Sequence, residues 1–130
     1  MIVVDASAAT EAVAGSGERG VEAMRRIAEE ASLVPHLLDL EVASALRGLV
    51  RRGALAAAVA HAALRQLAVL PVARCDHRPL LPRCWELRHS LTVYDAAYVA
   101  LAEATGATLL TSDQRLAHAP GIDCEVELLD

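Results

Sequence analysis

The sequence predicts an α/β fold of three layers, α/β/α, with helices on both faces of a mostly parallel central sheet of about four to five strands. Three observations lead there. Short apolar, β-branched runs, MIVV, SLV and ATLLTS, alternate with alanine-rich segments whose apolar residues recur at helical spacing. Glycine and proline punctuate the units, at Gly15, Gly17, Pro35, Gly53, Gly106 and Pro120-Gly121. The 130 residues contain no linker, repeat or low-complexity stretch, which suits one domain over residues 1–130 with a core that needs no disulfides.

Each element follows from local pattern. MIVV is a first strand, and Asp5 sits at its carboxyl end. A helix from about Ser7 to Val13 breaks at Gly15-Ser16-Gly17. A second, from about Glu18 to Ala31, sets Val21, Met24, Ile27 and Ala28 on one stripe and Glu22, Arg25, Arg26 and Glu29 towards solvent. Ser32–Val34 is a short strand closed by Pro35, and a helix then runs from about His36 to Arg52, where Gly53 ends it. The next helix spans about Leu55 to Ala68. Val69–Ala73 is too short for a helix and contains Pro71, so it is expected as an edge strand, with Arg74–Pro82 as a polar connection. Helices follow at Arg83–His89 and Val93–Thr105, the latter stopped by Gly106. Ala107–Ser112 is a buried strand, Asp113–Ala117 a short helix, and Cys124–Leu129 alternates as a half-exposed last strand.

Composition limits the partners. The chain is 55% hydrophobic, yet no uncharged apolar run approaches the ~18 residues that would span a bilayer. The start, MIVVDASA, lacks the basic segment and long apolar region of a secretory signal, and three cysteines (Cys75, Cys84, Cys124) form no disulfide framework, so a reducing cytoplasm is expected. All basic residues are arginine, and the net charge of -5 argues against a broad basic surface for nucleic acid. A nucleic-acid substrate would be held by local arginines or bound cations.

Acids stand where strands end. In open α/β sheets functional groups gather outside the carboxyl ends of the strands, so Asp5 and Asp113 meet if their strands are neighbours. On the helix from His36, angular spacing places Leu38, Val42, Leu46 and Leu49 on one core stripe with Glu41 at its margin, beside Ser44, Ala45, Gly48 and one possible basic partner, Arg52. Asp95 opens an alanine-rich helix that Tyr94, Tyr98 and Leu101 are spaced to anchor; a first-turn acid is also an ordinary helix cap, and the two readings of Asp95 stand level on its own residues. Four converging carboxylates repel one another unless a cation neutralises them, and their hard oxygens suit Mg²⁺ or Mn²⁺. Such a site performs metal-assisted phosphodiester hydrolysis. Ser7, Thr111 and Ser112 lie close to Asp5 and Asp113 in sequence and could orient carboxylates or water, or simply cap strand and helix ends.

Three blocks, VVDASA, PHLLDLEVASALR and LTVYDAAYVALAEATGATLLTSDQRLA, carry a resemblance over essentially the whole chain. Their order and spacing resemble PIN-domain nucleases, and more closely the VapC toxins of toxin-antitoxin pairs. The resemblance implies a PIN-like fold, an acidic site at Asp5, Glu41, Asp95 and Asp113, and hydroxyl positions at Ser7 and Thr111. It implies Mg²⁺- or Mn²⁺-dependent endoribonuclease activity on structured RNA such as tRNA or rRNA. It also implies a homodimer held inactive by a VapB-like antitoxin. A nuclease of RNA processing without a toxin role, or a PIN-like protein that binds without cutting, are the alternatives; four intact acids favour the enzyme.

Other constellations are weaker. Cys75, His77, Cys84 and His89 do not have the spacing of a zinc finger or ribbon, and His36, His61 and His118 lack a serine or cysteine partner for a nucleophilic triad. Cys84 is expected in a helix core, and Trp85 in packing against the core or a dimer partner, with base stacking the lesser reading because it needs exposure. Arg52 and Arg115 are the candidate RNA-phosphate contacts.

Overall fold

Five short strands build the sheet of the computed structural model, which describes residues 1–130: β1 (Ile2–Val4), β2 (Ser32–Pro35), β3 (Ala73–Cys75), β4 (Thr108–Thr111) and β5 (Val126–Leu128). Every pairing is parallel, in the order β3-β2-β1-β4-β5. Between them lie α1 (Ala6–Ala14), α2 (Glu18–Glu29), α3 (Leu38–Arg51), α4 (Ala57–Ala68), a 3-10 turn at Arg78–Leu80 running into α5 (Leu81–Glu86), α6 (Val93–Thr105) and α7 (Gln114–Ala117). The helices sort into two groups, α1 packing with α2, α3 and α4, and α6 packing with α5 and against β1, β2 and β4. That is the expected α/β/α layering. Ile2, Val3, Val4, Leu109 and Leu110 are fully buried because helices cover both sides of the central strands.

Strand order positions the site. From β1 the chain steps outward through β2 to β3 and then returns to the other side of β1 as β4. The carboxyl ends of β1 and β4 thus form the switch point at which α/β proteins place their ligands. Val4 is in register with Leu110, and the Asp5 N–H donates to the Leu110 carbonyl at 3.0 Å, so the residues after the two strands emerge side by side. Gly106 makes the turn into β4 with φ of 71°, a left-handed backbone suited to glycine, and its N–H caps the Ala102 carbonyl at the end of α6.

Several local expectations are corrected. The edge strand beside β2 is Ala73–Cys75, not Val69–Ala73, because α4 ends at Ala68 and Leu70 turns into the core while the chain is still rounding the sheet edge. Arg74 on that strand forms a two-pronged pair with Asp39, both bonds at 2.7 Å. The buried stripe of α2 is Gly20, Ala23 and Ile27, whereas Val21 is 72% exposed. Small residues are needed there because α2 lies close to α1: a Cβ on Gly20 would stand 2.8 Å from the Glu11 carbonyl oxygen. Arg26, expected in solvent, is largely covered and grips Glu127 of β5 through two 2.8 Å bonds. Tyr94 does not anchor α6; it is 66% exposed, and Tyr98 and Leu101 do the anchoring. Trp85 is exposed rather than packed in the core, while Cys84 is buried as expected. Cys75, His77, Cys84 and His89 do not gather as a metal site.

Candidate active site

Asp5 is the floor of the crevice. It caps α1, its Oδ1 accepting from the Ala8 N–H at 2.9 Å and from Ser7 Oγ at 2.7 Å, and its Oδ2 accepting from Thr111 Oγ1 at 2.6 Å. Each hydroxyl is itself aimed by the backbone just past β4: Ser7 Oγ accepts from the Ser112 N–H at 2.9 Å and Thr111 Oγ1 from the Asp113 N–H at 3.0 Å. Both hydroxyl protons therefore point to Asp5, and the 3.2 Å approach between the two oxygens follows from their shared acceptor. A buried carboxylate with several donors is orientationally fixed. Burial nonetheless dominates and holds its pKa above the ordinary range, the hydroxyl and backbone donors opposing. Ser112 contributes its backbone N–H to this network.

The other acids come from three different elements. Glu41, in the first turn of α3, is half-buried and its Oε1 accepts a 2.7 Å hydrogen bond from Tyr98 of α6. Burial raises its pKa, the Tyr98 bond lowers it, and the charges of Asp95 and Asp5 raise it again. Asp95, in the first turn of α6, donates its N–H to the Thr92 cap at 3.1 Å; burial and then Asp113 push its carboxyl upward. Asp113 caps α7, with Oδ1 accepting from the Arg115 N–H at 2.9 Å and Oδ2 standing 3.4 Å from the Arg115 guanidinium. Repulsion links Asp95 to Asp5, Glu41 and Asp113, which makes it the electrostatic hub.

The donor set is all oxygen, as a hard divalent cation requires, and the mutual repulsion would be relieved by positive charge. No three acidic, histidine or cysteine side chains stand close enough to close around an ion on their own. Asp95 and Asp113 line an open cleft, which suits a cation that keeps several waters better than one enclosed by protein. That cleft, of about 440 Å³, is lined by Arg88, His89, Thr92, Asp95, Asp113 and Arg115 among others.

The PIN domain family model matches residues 2–122. The ribonuclease VapC1 of Mycobacterium tuberculosis is 46% identical over 128 residues, 98% of this chain and 96% of that protein. The chain belongs to the PIN-domain VapC ribonuclease family. Its fold is shared with the crystal structure of M. tuberculosis VapC20, described as a sarcin-ricin loop cleaving toxin, with a TM-score of 0.68 at 20% identity over 95% of this chain and 97% of that one. VapBC2 of Rickettsia felis, solved bound to a DNA fragment from its promoter, matches with a TM-score of 0.70 at 14% identity over the whole of both chains.

Within this VapC fold the four acids named from sequence are linked by repulsion through Asp95, and Ser7 and Thr111 touch Asp5 directly; Asp95 and Asp113 line the cleft, Glu41 lines a separate groove with Ser44 and Tyr94, and Asp5 is buried. Arg115 lines the cleft. Arg52 is not brought to it: it lies about 16 Å beyond Glu41 along the axis of α3, three turns away. Sequence reasoning missed Tyr98 as the partner of Glu41, since packing spacing alone accounted for it, and missed Arg88, whose helix-end position carried no signal.

Proposed function

We propose that this chain is the toxin of a VapBC-type pair, a divalent-metal-dependent endoribonuclease that hydrolyses phosphodiester bonds of structured RNA such as tRNA or rRNA. The observation that carries the reading is the buried Asp5, fixed by three hydrogen bonds, two from α1 and one from β4, with Asp95 repelling three other carboxylates around it. The chain's membership of a ribonuclease family supports the substrate.

Asp5, Asp95 and Asp113 would hold Mg²⁺, with Mn²⁺ as a substitute, and Glu41 completes the acidic rim. The cation, when bound, supplies Lewis acidity at the phosphate and a water acidified for attack. Ser7 and Thr111 keep Asp5 from rotating, so its carboxylate presents one orientation to the crevice. Tyr98 occupies Oε1 of Glu41 and leaves Oε2 free to accept a proton from the attacking water. Arg115 steadies Asp113 while presenting an exposed guanidinium to the RNA.

The toxin works in the cytoplasm as a homodimer of PIN domains, each spanning residues 1–130, and is silenced by a VapB-like antitoxin. No helix is long and apolar enough to cross a membrane. Purified protein with Mg²⁺ or Mn²⁺ is expected to cut RNA, and Asp5→Ala or Asp95→Asn to abolish cutting with the circular dichroism spectrum unchanged. Equal cleavage in EDTA refutes the metal chemistry. Co-expression with the protein of an adjacent small reading frame should suppress the toxicity.

A further inference from the structure

Arg88 follows α5 at the lip of the cleft that holds Asp95 and Asp113. Its guanidinium lies 4.7 Å from the centre of the Trp85 ring and donates through Nη1 to the Trp85 carbonyl at 2.8 Å, which fixes it while its remaining N–H groups have no protein acceptor. Seven arginines are within 4.0 Å of a carboxylate; of the others, Arg47, Arg51, Arg52, Arg65 and Arg88, only Arg88 lines this cleft. Trp85 itself is 62% exposed, an uncommon place for the one tryptophan of a chain. In a protein of net charge -5, polyanion binding needs a local cation beside the acids, and Arg115 is already shared with Asp113.

We propose that Arg88, carried on Trp85, is a positioning residue for the substrate: it grips the RNA phosphate neighbouring the one that is cut, and the exposed indole stacks an adjoining unpaired base. This rests on the ribonuclease reading above. Arg88 and Arg115 then flank the acids and set the register of the strand, and a duplex, whose bases are stacked on each other, gains nothing from Trp85.

The test is fluorescence anisotropy with a short fluorescein-labelled single-stranded oligoribonucleotide, using full-length Asp95→Asn protein as the uncutting background, alongside steady-state cleavage by the active chain. Arg88→Gln and Trp85→Ala are each expected to weaken single-strand binding about 10-fold and raise KM to match, with kcat changed less than about 2-fold, as loss of one phosphate contact or one stacked base implies. Arg88→Gln should lower the slope of log K against log salt by about 0.7, the contribution of one single-strand phosphate, and Arg88→Lys should restore it. Trp85→Phe should recover most of the affinity, and binding to the matching duplex should be insensitive to Trp85→Ala. Unchanged KM and affinity overturn the proposal. So does a Trp85→Ala protein that binds RNA normally but loses self-association or antitoxin binding, since the indole then belongs to a protein interface. A chain that binds the probe through Arg88 but cuts no RNA sinks the ribonuclease reading alone.

Discussion

Asp95→Asn separates a ligand built against its own stability from a simple helix cap. The amide keeps the shape and can still bond Thr92, but removes the charge that repels Asp5, Glu41 and Asp113. After allowance for solvent and salt, each of these three like-charge pairs costs on the order of 0.5–1 kcal/mol. Against that gain stands the loss of a favourable first-turn acid, about 0.3–1 kcal/mol. The metal-free variant should thus be more stable than the wild type by about 1 kcal/mol, which for a chain of 130 residues is about 4 °C in Tm. The sign with pH follows from the raised carboxyls of Asp5, Glu41 and Asp95. Where all are protonated in folded and unfolded chains there is no penalty; the penalty appears as pH rises past the ordinary carboxylate range of about 4 and through the raised folded values. The gap between variant and wild type should therefore be absent in acid, open with rising pH, and shrink in 1 M salt. Thermal melts in EDTA across pH measure it. Adding Mg²⁺ should raise the Tm of the wild type more than that of the variant. A lower Tm for Asp95→Asn at neutral pH would refute the reasoning and leave Asp95 as a cap.

Thr111→Val removes the donor to Asp5 and the acceptor of the Asp113 N–H in a fully buried place, and should cost about 1–3 kcal/mol by denaturant titration and most of the activity, with Thr111→Ser recovering both. Tyr98→Phe deprives Glu41 of the one bond that lowers its pKa, so the acid limb of the pH–rate profile should move to higher pH; an unmoved limb excludes Glu41 as the proton acceptor. Gly106→Ala forces a side chain into a left-handed backbone and should lower Tm by about 4 °C, from about 1 kcal/mol, while cleavage is unchanged because the residue lies at the far end of α6 from Asp95.

Where local pattern and tertiary environment agree, the sequence was sufficient. Val93–Thr105 with its Gly106 stop is reproduced to the residue, since the cap and the left-handed glycine are local chemistry. Asp5 and Asp113 were legible because both follow apolar runs, and the parallel switch between β1 and β4 needed only those runs to be neighbours. Properties set by distant packing were not legible. Arg26 looks like any solvent arginine until β5 returns beneath it, and Val21 gives way to Gly20 because α1 approaches too closely for a larger side chain. The bond from Tyr98 to Glu41 joins residues 57 apart, and no periodicity encodes it. The edge strand was misplaced because Val69 and Leu70 carry the hydrophobic signal of a strand while Ala73–Cys75 carries the pairing.

The Asp5 network also has an order in time. Its two hydroxyl donors are aimed by backbone groups of Ser112 and Asp113, more than 100 residues after Asp5 itself. During synthesis β1 is made first but must wait, unpaired on one side, until β4 emerges to flank it. Contacts of such long sequence separation close late in folding. A nascent chain still tethered to the ribosome, short of Asp113, has neither the fixed Asp5 nor the full set of acids, so the acidic site cannot assemble until translation of the chain is nearly done.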